Sequence, residues 1–136
     1  MIIGNPTLDG ENILLLEDEA FVGMAIREFL LAAGAVDVAH AYSAEAALER
    51  IRETQFDAAV LDVRLPGGTC YDVAVELTKR NVALVFHSGF EVEFRAAFPN
   101  AIVCGKPASA AELIDAIVRA KKHLASLGDP LIAKLD

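Results

Sequence analysis

The sequence predicts a three-layer α/β domain: a five-stranded parallel sheet with helices on both faces. Three observations carry that reading. Short apolar runs alternate strictly with segments of helical period, which implies parallel strands joined by right-handed crossovers. Several of those runs are apolar at every position, as strands covered on both faces are. The chain is rich in hydrophobic residues, 54% with a mean hydropathy of +0.40. Yet its longest stretches without Asp, Glu, Lys or Arg, residues 81–90 and 96–105, fall well short of the roughly 20 apolar residues of a spanning helix. A length of 136 residues suits one domain.

The elements follow in order. Residues 1–11, with Gly4, Pro6 and Gly10 as breakers, read as a flexible lead-in to a domain over 12–126. Ile13–Leu16 is a first strand ending in Glu17-Asp18. Val22, Ala25, Ile26, Phe29, Leu30 and Ala33 recur at helical spacing, and Gly34 stops that helix. Val36–Ala41 is a second strand, interrupted by Asp37 and His40. Ser43 caps a helix whose apolar stripe is Ala44, Ala47, Leu48 and Ile51. Ala58–Leu61 is a third strand ending in Asp62. The loop Leu65-Pro66-Gly67-Gly68 leads to a helix capped by Thr69, with Cys70, Val73, Ala74 and Leu77 on one face. Val82–Phe86 is a fourth strand ending near Ser88, and a short helix covers Glu91–Ala97. Ala101–Cys104 is a fifth strand, followed by Gly105-Lys106-Pro107. Ser109 and Glu112 stand in capping-box register before a last helix carrying Leu113, Ile117 and Leu124. Residues 127–136 read as a C-terminal tail. The charged second strand belongs at an edge and the solid apolar strands at the centre, which favours the flavodoxin-like order 2-1-3-4-5.

Charge and cysteine content narrow the function classes. A net charge of −8 argues against a nucleic-acid surface, which needs a basic stripe. No Lys or Arg precedes Arg27, so a secretory leader is not expected, and a cytoplasmic location is. Cys70 and Cys104 follow no metal spacing and read as buried reduced thiols.

The polar residues of interest all follow strands. In a parallel sheet the strand ends share one edge, and open α/β sheets bind ligands there, where the strand order reverses. That point falls between strands one and three, which sets Asp18 and Asp62 on neighbouring strands about 4.8 Å apart. Glu17, Asp18 and Asp62 gathered there would repel one another, and a divalent cation relieves the conflict. Oxygen ligands without His or Cys favour Mg²⁺, which typically takes one or two carboxylates together with phosphate. Lys106 offers a point charge for a phosphoryl oxygen and Ser88 a hydroxyl donor. An Asp can itself attack phosphorus and form an aspartyl-phosphate.

Leu-Glu-Asp-Glu at 16–19, Leu-Asp-Val-Arg-Leu-Pro-Gly at 61–67, His-Ser-Gly at 87–89 and Gly-Lys-Pro at 105–107 together resemble the receiver domain of two-component response regulators. The resemblance covers about residues 12–125. It implies a phosphoacceptor at Asp62, charged by a sensor histidine kinase or histidine phosphotransfer protein. It implies Mg²⁺ held by Asp18 and Asp62 directly, by Glu17 mostly through water, and by the backbone carbonyl of Arg64. Ser88 and Lys106 would contact the phosphoryl group. A stand-alone receiver of this kind would signal by protein contact through helix four, strand five and helix five, a face that could also seat a second copy. Three departures stand out. Val103 occupies a position usually aromatic, Cys70 replaces a common Gly, and the segment from Ser88 to Lys106 is short.

Plainer readings stand beside these. Asp62 could merely open a loop, and Glu19 could only favour the helix dipole. His87 is expected to pack beside its strand, and His40 and His123 to lie at the surface. Phe86, Phe90, Phe94 and Phe98 read first as core, with a partner-facing role for some of them as the alternative. A magnesium-dependent phosphatase with an Asp nucleophile is one rival, but it wants a second Asp where Arg64 stands. A module that is never phosphorylated is the other. An Asp phosphoacceptor of the first kind is not a conventional enzyme.

Overall fold

A computed structural model describes residues 7–127. In chain order the elements are β1 (Asn12–Leu16), α1 (Ala20–Ala32), β2 (Asp37–Ala41), α2 (Ala44–Glu53), β3 (Ala58–Asp62), α3 (Tyr71–Lys79), β4 (Ala83–Ser88), β5 (Ile102–Gly105) and α4 (Ala110–Leu127). The five long strands form one parallel sheet in the order β2-β1-β3-β4-β5. The expected topology therefore holds, with the charged strand at an edge.

Strand alternation explains the hydrophobic composition. Side chains on a strand point to opposite faces in turn. In β3, Ala59 and Leu61 join Leu14, Leu16, Leu84 and Phe86 beneath α2 and α3. Ala58 and Val60 join Ile13, Leu15 and Val85 beneath α1 and α4. Both faces are buried, so every position in these runs is apolar.

The predicted caps divide. Ser43 Oγ accepts from the Ala46 N–H at 3.1 Å. Ser109 and Glu112 close a reciprocal capping box, with both bonds at 3.1 Å. Thr69 does not cap α3. That position falls to Cys70, and Thr69 Oγ1 accepts from the Tyr71 N–H at 3.3 Å from one residue further out.

Two expectations are corrected. No α-helix forms over Glu91–Ala97, only a 3₁₀ turn at Arg95–Ala97. Phe94 and Phe98 pack edge-on against Phe86 and Tyr71, and Pro99 forces Phe98 out of helical geometry. The lead-in is also not loose over residues 7–11. Leu8 is 1% exposed and its N–H donates to Ala33 O at 3.0 Å. Lys121 of α4 pairs with Glu11 at 2.6 Å. Burying a leucine in this way contributes about 1.5–3 kcal/mol. Gly34, in the left-handed region at φ 112°, leaves room for Asp9, whose Oδ1 would lie 2.0 Å from any Cβ added there. Of the expected tail, Leu127 belongs to α4; residues 128–136, like 1–6, lie outside the described residues. No helix among the described residues is long and apolar enough to cross a membrane.

Candidate functional site

The carboxyl ends of β1 and β3 lie side by side, because Leu16 pairs with Leu61. Glu17 and Asp18 leave the first strand there, and Asp62 ends the other. One oxygen from each of Glu17, Asp18 and Asp62 lies within 4.8 Å of the others. Lys106, just past β5, reaches back over this cluster. Its Nζ lies 3.0 Å from Asp62 Oδ1 and 3.5 Å from Glu17 Oε1. Its backbone is fixed by donation from the Lys106 N–H to Ser88 O at 2.9 Å. The Lys106-Pro107 bond is cis.

Burial sets the electrostatics. Asp62 is 8% exposed, and its carboxyl is pushed up to about 6. Loss of water is the main cause, and Asp18 and Glu17 add to it. The hydrogen bond and charge of Lys106 work the other way without cancelling it. For Lys106, burial works to lower the pKa. The hydrogen bond and charge of Asp62, with Glu17, outweigh burial and hold it above the ordinary lysine value.

Glu17 is 1% exposed, and its Oε2 accepts from the Glu19 N–H at 3.1 Å. Its Oε1 is buried without a hydrogen-bond donor. A buried carboxylate oxygen left in that state costs free energy unless something positive completes it. Lys106 supplies a single positive charge, shared between Asp62 and Glu17, against three carboxylates. The cluster contains only hard oxygen donors, so it fits a hard divalent cation rather than a thiolate-seeking one.

Around this centre Ser88, Arg64, Glu19, Gly89 and Phe90 line an open hollow with Asp62 and Lys106. Ser88 is buried at the end of β4, as its predicted place requires. Its hydroxyl faces its own loop, however, accepting from the Phe90 N–H at 3.1 Å and donating to Phe90 O at 2.8 Å. The Arg64 side chain crosses the rim to Glu93, 2.6 Å away, and lies over the Phe90 ring at 5.2 Å. Phe90 is 69% exposed, so it is not a core residue as Phe86 and Phe98 are. His87 is buried beside the strand as expected, with its pKa lowered by burial and by Lys106. His123 is exposed. Cys70 and Cys104 are free and buried, and burial pushes the Cys70 thiol up to about 12.

His40 was expected at the surface and is not there. It is half-buried, with Nε2 2.9 Å from the Glu17 carbonyl oxygen. A signal existed in Gly23, a glycine inside a helical pattern, which often marks a close approach of another group.

Comparison with known proteins adds to this geometry. The family model described as "Response regulator receiver domain" matches residues 13–118. No curated protein matches. A response regulator receiver protein from Sinorhizobium medicae WSM419 is 25% identical, with 87% of this chain and 99% of that chain covered and a TM-score of 0.77. SdrG from Sphingomonas melonis Fr1 is 30% identical over 82% of this chain and 96% of that one, with a TM-score of 0.69. A CheY-like receiver domain from Methanospirillum hungatei JF-1, 19% identical with 88% of this chain and 100% of that chain covered, has a TM-score of 0.75 and speaks to the fold alone.

Proposed function

The chain belongs to the response regulator receiver domain family of two-component signalling, and we propose that it takes a phosphoryl group on Asp62 with Mg²⁺ bound at Glu17, Asp18 and Asp62. The observation that carries this reading is the convergence of those three carboxylates with Lys106 Nζ 3.0 Å from Asp62. The backbone carbonyl of Arg64, two residues beyond Asp62, completes the proposed ligand set.

Asp62 acts as the nucleophile. A carboxylate oxygen attacks phosphorus while the bond to the donor's imidazole nitrogen breaks, leaving an acyl phosphate on Asp62 and a free imidazole on the partner. Bound Mg²⁺ supplies positive charge that relieves the carboxylates' repulsion and neutralises phosphoryl oxygens. Lys106 holds Asp62 in place beforehand and meets a phosphoryl oxygen afterwards. Ser88 exchanges its bonds with Phe90 for a bond to the phosphoryl group, which draws the loop after β4 toward the site. Arg64 and Phe90 flank that entrance. The donor is a sensor histidine kinase or histidine phosphotransfer protein, and the output is contact with another protein, in the cytoplasm. The readout face would comprise the segment between β4 and β5, β5 itself and α4, with a 3₁₀ turn in place of a helix between β4 and β5.

Incubation with acetyl phosphate and Mg²⁺ is expected to add the mass of one phosphoryl group. The addition should vanish in Asp62→Asn and in chelator. Labelling that survives Asp62→Asn would sink the assignment. Sustained turnover of a small phosphate ester would point to a phosphatase instead.

A further inference from the structure

We propose that His40 is a positioning residue for the acid pair: its ring, seated where Gly23 has no side chain, fixes the Glu17–Asp18 peptide so that both carboxylates face Asp62. The inference rests on the reading of Glu17, Asp18 and Asp62 as a Mg²⁺ site.

His40 belongs to the edge strand β2, paired in register with Leu15 of β1. Its ring reaches over the end of β1 to the carbonyl oxygen of Glu17, 2.9 Å from Nε2. A carbonyl oxygen only accepts, so Nε2 carries the hydrogen. The other ring nitrogen, Nδ1, is buried and has no partner. On one side the Tyr42 ring stacks at 4.0 Å with an interplanar angle of 27°. On the other lies the backbone of α1. A Cβ at Gly23 would stand 1.9 Å from His40 Cε1 and 2.2 Å from Nε2, so no other residue fits there while the ring keeps its place.

This arrangement is costly in two ways if His40 is only filler. A glycine within a helix is less favourable than alanine by about 1 kcal/mol. A buried nitrogen without a partner adds a further penalty. A shorter apolar residue at position 40 together with alanine at position 23 would avoid both costs. What the histidine adds is the bond to Glu17. That residue is then held at three points: its N–H donates to Ala41 O at 3.0 Å, its Oε2 accepts from the Glu19 N–H at 3.1 Å, and its carbonyl accepts from His40. These bonds hold the peptide leading into Asp18, and Glu17 Oε1 faces the cluster, 3.5 Å from Lys106 Nζ. Outer-shell groups of this kind orient metal ligands without touching the metal.

The test compares wild type with His40→Leu, which fills the space without a donor, and His40→Gln, which keeps an N–H donor at similar reach. Calorimetric Mg²⁺ titration is expected to give roughly tenfold weaker binding for His40→Leu. His40→Gln should recover most of the affinity, with thermal unfolding in chelator showing all three folded. Equal affinities in wild type and His40→Leu would overturn this inference alone. No Mg²⁺ binding by wild type would overturn the site reading and this inference with it. Should His40→Leu fail to fold, the ring ¹⁵N spectrum of wild type decides: hydrogen on Nε2 supports the bond, and hydrogen on Nδ1 alone excludes it.

Discussion

As the proposed phosphoacceptor, Asp62 joins two demands that conflict at the scale of a single residue. A nucleophile must be ionised, and burial beside Glu17 and Asp18 resists ionisation, moving the carboxyl from 3.8 to about 6. The raised value ties folding to pH. Asp62's contribution to stability is fully present below about pH 3.8 and is lost as pH rises through about 6, because the unfolded chain then releases a proton that the folded chain retains. At about 1.4 kcal/mol per pKa unit the span is about 3 kcal/mol at most. Asn at position 62 keeps the shape and removes the titration. In chelator, urea unfolding of wild type and Asp62→Asn should coincide near pH 4 and favour the variant by about 1–3 kcal/mol near pH 7.5. A difference independent of pH would mean that burial of this carboxylate does not govern the site. Loss of the Lys106 pairing subtracts little, since that side chain is partly exposed and still faces Glu17.

At the scale of elements, α1 and β2 test whether local propensity or tertiary contact decides. Propensity alone says that Gly23→Ala should strengthen α1 by about 1 kcal/mol. The His40 ring says the opposite, because the new methyl would overlap it. We expect Gly23→Ala to lose about 1–3 kcal/mol in urea unfolding, as overpacked sites do. Gly23→Ala combined with His40→Ala should regain the helix gain relative to His40→Ala alone. A stabilised Gly23→Ala single variant would show that the ring is not held where it lies. The same contest explains what could be read in advance. Strand ends, the Ser43 cap and the Ser109–Glu112 box depend on neighbours in sequence, and each formed as expected. Phe94 and Phe98 stand at helical spacing, but their partners Phe86 and Tyr71 lie elsewhere in the chain, and those contacts, with Pro99, replace a helix by a 3₁₀ turn. Leu8 was hidden behind glycine and proline breakers, and nothing local announced that it completes the core under α1 and α4. His40 reads as surface because its edge strand also carries Asp37; its role needs Glu17 and Gly23, both distant in sequence.

Over the whole molecule, a net charge of −8 and three acids at one sheet edge predict that cations stabilise the fold, but general screening and a built site predict different things. Screening depends on ionic strength and acts across a Debye length of about 10 Å in 0.1 M salt, whichever ion supplies it. A site depends on ligands and saturates. If Glu17, Asp18 and Asp62 form one, Mg²⁺ at ten times its dissociation constant should stabilise the folded chain by about 1.4 kcal/mol, because it binds the folded state and not the unfolded one. NaCl at matched ionic strength should give only a small part of that gain. Asp18→Asn separates the two causes, since it removes one ligand and only one of many negative charges. Its melting temperature should respond to NaCl as wild type does and lose most of the response to Mg²⁺. An equal Mg²⁺ shift in Asp18→Asn and wild type would reduce the acidic cluster to part of a diffuse negative surface.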